Sequence, residues 1–162
     1  LAPRLGLVDA DEITRVRANQ LQLSVMDFVA EVHDTHHPIA SALYYEDQKA
    51  EAAARAKHFV RERLGKFLGY FERTLEQGGG HAIAGKHTYV DLSLFQIVEG
   101  TRYAFPKAMK ELEPKLPLLV ALRDRVAARP GIAAYLASER RLAFNEKGIF
   151  RRYRELDFST KA

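Results

Sequence analysis

The sequence predicts an all-α fold, a single bundle of about five helices, and three observations point there. Apolar residues recur at spacings of three and four through most of the 162 residues, as in helices that bury one face. No segment shows the period-two alternation, bounded by hairpin turns, of half-buried strands. The helical stretches are separated by Pro38, Gly78 to Gly80, Pro106, Pro114, Pro117 and Pro130-Gly131, residues that remove a backbone donor or supply the freedom a helix end needs.

The first helix is expected from Asp11 to about His37, stopped before Pro38. Ile13, Val16, Leu21, Leu23, Val25, Met26, Phe28, Val29 and Val32 spread so widely around it that the helix reads as largely buried. After Ile39 to Glu46, a second helix runs from Gln48 to Gln77, Ala-rich at first and then carrying Val60, Leu64, Phe67, Leu68, Phe71 and Leu75 on one face. The glycine run after Gln77 closes it. A central helix covers Thr88 to Phe105, another Leu118 to Arg129, and a short last one holds Ile132, Tyr135 and Leu136. An aromatic and basic tail follows.

The central helix is too apolar to lie on a surface, and its start carries a capping signal. Thr88 stands at the N-cap and Asp91 three residues on. The Thr hydroxyl can accept from the Asp91 N–H while the Asp91 carboxylate reaches back to the Thr88 N–H, satisfying two orphan donors where water cannot.

Composition excludes several classes of function. With 47% hydrophobic residues the chain can build a core, and disorder is not expected. There is no Cys, hence no disulfide framework, thiolate metal site or cysteine nucleophile. No apolar run approaches the roughly 18 residues of a membrane span, so no membrane partner is expected and a cytoplasmic location is. The net charge of +4 is spread too evenly to name nucleic acid as a partner. In the tail, Arg140, Arg141, Lys147, Arg151, Arg152 and Arg154 alternate with Leu142, Phe144, Ile149, Phe150 and Tyr153, which suits a segment that packs down and solvates its charged side.

Candidate chemistry is sparse. On the first helix Gln20, Ser24, Asp27, Glu31 and Asp34 form a narrow polar stripe, either a solvated face or a carboxylate wall beside a cleft or subunit interface. His33, His36 and His37 have spacings that can pair imidazoles on a metal, but just before Pro38 they equally suit a helix C-terminus, and no metal site is assigned. Gly80 to Lys86 has phosphate-loop spacing, yet His87 stands where a Ser or Thr must hold magnesium and no strand precedes it. The Ser residues form no triad with an organised His and acid. Tyr44 and Tyr45, after the apolar run Ile39 to Leu43, are either core aromatics or the best local candidates for touching an apolar substrate.

Four features occur in one order: the helix carrying Asp34, the stretch ending Gly69-Tyr70-Phe71-Glu72-Arg73-Thr74-Leu75, the Thr88 to Asp91 box after Gly85, and Arg129-Pro130-Gly131-Ile132 opening the last helix. Together they resemble the all-helical C-terminal domain of glutathione transferases, across nearly the whole chain. Residues 1–8 are similar to the end of the family's thioredoxin-like first domain and its linker, leaving 9–162 as the helical domain. The resemblance implies conjugation of glutathione, as co-substrate rather than cofactor, to a hydrophobic electrophile by a homodimer. It also implies that the thiol-activating residue lies in the first domain, so that this chain holds no catalytic residue and is inactive alone. Asp34 matches an acid that approaches the glutathione α-amino group of the neighbouring subunit, Tyr44 an aromatic position of the electrophile pocket beside Tyr45, and Thr88 and Asp91 a structural box. His87 departs from the apolar residue usual before the cap, and Pro38 interrupts the span between Asp34 and Tyr44. The competing expectation is a non-catalytic helical interaction module of the same fold.

Overall fold

The computed structural model describes residues 1–83 and 85–161, and among these the chain is all-helical, with no named strand. The elements are α1 (Glu12–Asp34), α2 (Lys49–His58), α3 (Gly65–Gln77), α4 (Tyr89–Ala104), α5 (Pro106–Leu112), α6 (Pro117–Ala127) and α7 (Pro130–Leu136). α2 and α3 form one rod, joined through a π-helical turn at Phe59–Leu64. Phe59, Val60 and Leu64 of that turn all face the core. The element that periodicity missed is α5, which lies in the Pro-punctuated connection after the central helix.

α4 is the inner rod. Val90, Leu94, Phe95, Ile97, Val98 and Ala104 are all buried, and it packs against α6 on one side and α1 on another. α1 departs from expectation. Ala18, Leu21, Val25, Phe28 and Val32 face the core, but Ile13, Val16, Leu23 and Met26 are exposed, from 52% to 82%. These two sets project from opposite sides of the helix, so the wide spread of apolar residues reflects two apolar faces rather than complete burial.

Helix ends are closed by local groups and, at α5 and α6, by carboxylates from far along the chain. α1 starts at Asp11, whose carboxylate accepts from the Thr14 N–H at 2.9 Å. α3 ends in a Schellman arrangement: Gly80 N–H donates to Leu75 carbonyl at 2.7 Å and Gly79 N–H to Glu76 carbonyl at 3.3 Å. Gly79 there takes φ +62°, where glycine has no Cβ penalty. α5, α6 and α7 each begin with Pro, whose missing N–H costs nothing in the first turn. The next N–H groups of α6, on Leu118 and Leu119, both donate to Glu72 of α3 at 2.8 Å. Those of α5, on Lys107 and Ala108, donate to Asp157 of the tail at 2.9 and 3.3 Å.

The tail is a strap laid across the bundle. Phe144 stacks on Tyr103 of α4, centroids 5.1 Å apart, Phe150 and Leu156 are buried, and Glu111 of α5 accepts from the hydroxyl of Thr160 at 2.6 Å. Gly100, buried on α4, makes room for the Phe150 ring: a Cβ at position 100 would lie 2.4 Å from it. Gly100→Ala is therefore expected to unseat Phe150 and lower stability by about 1–3 kcal/mol, the usual cost of overpacking. In urea unfolding, adding Phe150→Ala to Gly100→Ala should cost less than Phe150→Ala does alone, because the clash is gone.

Candidate functional site

The turn after α1 begins with a side-chain bond, as Thr35 Oγ1 donates to the Val32 carbonyl at 2.7 Å in a buried setting. From there to Tyr45 the loop is organised by Gln48, whose side chain is fully buried. Its Oε1 accepts from the Ile39 N–H at 2.9 Å, while its Nε2 donates to the carbonyls of Ala40 and Leu43 at 3.2 and 3.1 Å. A buried amide that satisfies both its donor and acceptor ends fixes a loop with no regular backbone ladder. The only sequence signal for it was a Gln ahead of an Ala-rich helix, which reads as an ordinary start.

This loop separates the two tyrosines. Tyr44 is 77% exposed, whereas Tyr45 is 3% exposed. The Tyr45 ring stacks on Tyr153 of the strap at 3.8 Å and its hydroxyl donates to Glu155 at 2.9 Å. Burial, then the bond to Glu155 and its charge, push the Tyr45 phenol above its ordinary value. Both tyrosines line a groove of about 560 Å³ shared with His37, Ser41, Arg151 and Tyr153. In it Tyr44 offers an open ring and Tyr45 holds the strap.

A second, more apolar hollow of about 350 Å³ opens between α1, α4 and the strap. Val29, Leu142, Phe144, Ile149 and Phe150 line it, with Gln96 as a polar member. Leu142 is 85% exposed at its rim, an arrangement suited to an apolar ligand held by few polar contacts. Sequence reasoning saw the tail aromatics but had no means of bringing Val29 to them.

The acidic stripe of α1 divides into occupied and open carboxylates. Glu31 accepts from Arg63 at 2.7 Å and from Arg55 at 3.5 Å. Burial works against its ionisation, but the two guanidinium groups outweigh this and hold its carboxyl below the ordinary value. Asp34, its side chain 49% exposed, sits 3.8 Å from Arg55 and 3.8 Å from His33. Asp27 has no ion pair among the described residues, is exposed, and lines a groove of about 380 Å³ with Ser24, Arg63, Lys66, Phe67 and Tyr70. The exposed Leu23 and Met26 flank it.

At the start of α4, Asp91 is 0% and Thr88 2% exposed. The Thr88 hydroxyl is turned to the carboxylate, and the tight bonds of the box run there. Asp91 Oδ2 accepts from the Thr88 N–H at 2.8 Å and from the Thr88 hydroxyl at 2.9 Å, and Oδ1 from the Ala82 N–H at 3.2 Å. The Asp91 N–H itself donates to the Thr88 carbonyl at 3.1 Å. Residues 1–8 are tied to the same place, since the Tyr89 N–H donates to the Leu7 carbonyl at 3.0 Å. Lys86, the cation of the phosphate-loop-like run, pairs instead with Asp9 at 2.6 Å; Ala84 of that run lies outside the described residues. His33, His36 and His37 do come together, with ring centroids 4.8 to 5.2 Å apart.

With this geometry in hand, comparison with known proteins is decisive for the family. Residues 33–139 match the family described as glutathione S-transferase, C-terminal domain. The chain belongs to that family. Among curated relatives, it is similar to a glutathione S-transferase of Plasmodium yoelii yoelii, 30% identical over 83 residues, 51% of this chain and 38% of the relative. It is also similar to S-crystallin SL11 of Nototodarus sloanii, 34% identical over 106 residues, 64% of this chain and 49% of that protein. The chain thus matches about half or less of each relative's length. Among its described residues no helix of this transferase-type domain is long and apolar enough to cross a membrane.

The geometry gives an expectation for the tyrosine pair. Tyr45→Phe should cost about 1.5 kcal/mol at neutral pH, the low end for a hydrogen bond to a charged group, because Glu155 is exposed. Because the folded phenol titrates above the unfolded one, that stabilisation is complete below pH 10 and is lost as the pH rises further. Urea unfolding at pH 7 and above pH 10 should show the gap between wild type and Tyr45→Phe narrowing. Tyr44→Ala should stay within about 0.5 kcal/mol throughout.

Proposed function

We propose that this domain forms the electrophile-binding half of a glutathione transferase and part of its dimer interface. The observation that carries the reading is the apolar hollow bounded by Val29, Leu142, Ile149 and Phe150 on a domain of this family. Conjugation needs a glutathione thiolate, a dry cavity for the electrophile and anchorage for a zwitterionic peptide. A helical bundle with an apolar hollow and an acidic stripe suits the last two. The first falls to a thioredoxin-like domain, into which residues 1–8 would lead.

In this reading the ammonium group of glutathione approaches the α1 stripe, where a carboxylate supplies a charge-assisted hydrogen bond. Asp34 remains the residue suggested by family resemblance, with Asp27 as the acid an ammonium can reach without displacing an arginine. Tyr44 offers its open ring in the separate groove that it shares with His37 and Arg151. The second apolar face of α1, with Ile13, Val16, Leu23 and Met26, is the surface that a partner subunit or the first domain would cover, since apolar rows of this kind on a single helix mark an interface.

The test uses the complete protein that contains this domain, assayed for conjugation of glutathione to an aryl halide. Asp34→Ala or Asp27→Ala should raise the KM for glutathione about tenfold, or ~1.4 kcal/mol, with kcat little changed. Ile149→Ala should raise the KM for the electrophile while leaving that for glutathione alone. A complete protein that folds, binds glutathione and conjugates nothing would favour the non-catalytic helical module. Unchanged glutathione KM in both acid variants would remove the stripe from the site.

A further inference from the structure

We propose that the groove beside Tyr44 is a binding site for a phenol, whose hydroxyl donates to Nε2 of His37. The direction of that bond is set by the groups behind it. His36 is 1% exposed, and its Nε2 meets the Ile149 carbonyl at 2.8 Å while its Nδ1 meets Nδ1 of His37. A carbonyl only accepts, so His36 carries its hydrogen on Nε2. The bare Nδ1 of neutral His36 must then accept from His37 Nδ1–H, and neutral His37 is left with a bare Nε2. Burial favours the neutral form of both rings: it lowers His36 from 6.5 to about 4, against the opposing Ile149 bond, and holds His37 below its ordinary value together with Arg151 and His33.

The bare nitrogen belongs to the groove wall. His37 is 9% exposed and lines the groove. Its Nε2 bonds to no described residue yet, unlike the orphaned ring nitrogens of His81 and His87, is not sealed off from solvent. The ring is held from a second side as well, stacked on His33 with centroids 4.9 Å apart. An acceptor is thus fixed in orientation and left empty.

What it can take follows from its neighbours. Arg151 gives N–H groups to the Gly148 and Lys147 carbonyls at 2.8 and 3.4 Å, pairs with no carboxylate among the described residues, and its charge is felt at His37. A cation beside the acceptor favours a donor whose oxygen gains negative charge as it shares its hydrogen, which a phenol does more than an alcohol. A carboxylate lacks the hydrogen that Nε2 needs, and Glu46 and Glu146, which also line the groove, offset Arg151 and Lys147. Tyr44, 77% exposed, offers a ring face on which an aromatic ring stacks. At about 560 Å³ the groove has the size of a small-molecule site, and it shares no lining residue with the apolar hollow. The inference therefore stands apart from glutathione conjugation.

The experiment titrates the complete protein, its histidines labelled with nitrogen-15, with 4-ethylphenol and with 4-ethylanisole, the methyl ether that has no hydrogen to donate. At neutral pH the His37 Nε2 resonance should report a bare ring nitrogen and move only with the phenol, which should bind about fivefold more tightly than the ether, the effect of one hydrogen bond. His37→Phe keeps a ring to stack on His33 but has no nitrogen, so it should bind the two probes alike, within about twofold. Tyr44→Ala should weaken both probes by a similar factor. Equal binding of phenol and ether to wild type, phenol binding that leaves His37 unmoved, no phenol binding at all, or an Nε2–H tautomer at His37 would each overturn the proposal. If His37→Phe does not fold, the wild-type comparison and the tautomer decide.

Discussion

The structure depends on a carboxylate buried at the first turn of its innermost helix. Asp91 has no exposed surface, and its two oxygens collect hydrogen bonds from Thr88 twice and from Ala82 once. A buried carboxylate is costly unless it is satisfied in this way, so Ala82 and Thr88 have to be held against it for α4 to form. Once α4 is placed, α1 and α6 pack against it, and Gly100 on its far half presents the notch in which Phe150 sits. The leading segment is fixed from the same turn, through the bond from Tyr89 to Leu7.

A second principle runs through the remaining contacts. Two of the three helices whose first residue is Pro receive carboxylates from elsewhere: Glu72 closes α6, and Asp157 closes α5. Because a helix N-terminus offers unpaired N–H groups and a positive dipole end, an acid arriving there links two distant segments as well as capping one. In the strap this is one of several attachments, alongside the Phe150 seat, the Tyr45 to Glu155 bond and the histidine pair. The strap is therefore held at separate points, and a change at one of them can loosen part of it without unfolding the bundle.

Periodicity in three and four exposed α1, the α2–α3 rod, α4 and α6, because each buries one face along its length. α5 escaped notice, since it is a single short element between prolines whose stability comes from Asp157, about fifty residues later in the chain. The exposed apolar face of α1 could not be separated from its buried one by hydrophobicity; both carry Leu and Val, the buried one with Ala and Phe and the exposed one with Ile and Met, and only the packing of neighbours tells them apart. Likewise the paired residues Tyr44 and Tyr45 differ in environment because Gln48 folds the loop beneath them. The stripe on α1 was legible as a stripe, but not that Arg55 and Arg63 occupy Glu31 while Asp27 stays open. The hollow brings together Val29 and Phe150, which stand far apart in the sequence, beyond the reach of any local pattern.

The candidate surfaces inherit their positions from α4: the hollow lies between α4, α1 and the strap, and the acidic stripe is carried on the helix that α4 packs against. Equilibrium unfolding of Asp91→Asn, Thr88→Ala and the double variant tests this dependence most directly. An Asn at 91 turns a donor towards N–H groups that need an acceptor, so a loss of about 2–3 kcal/mol is expected, with Thr88→Ala costing about 1 kcal/mol and the double variant clearly less than the sum. A loss at Asp91→Asn below about 0.5 kcal/mol, or strict additivity with Thr88→Ala, would contradict the account.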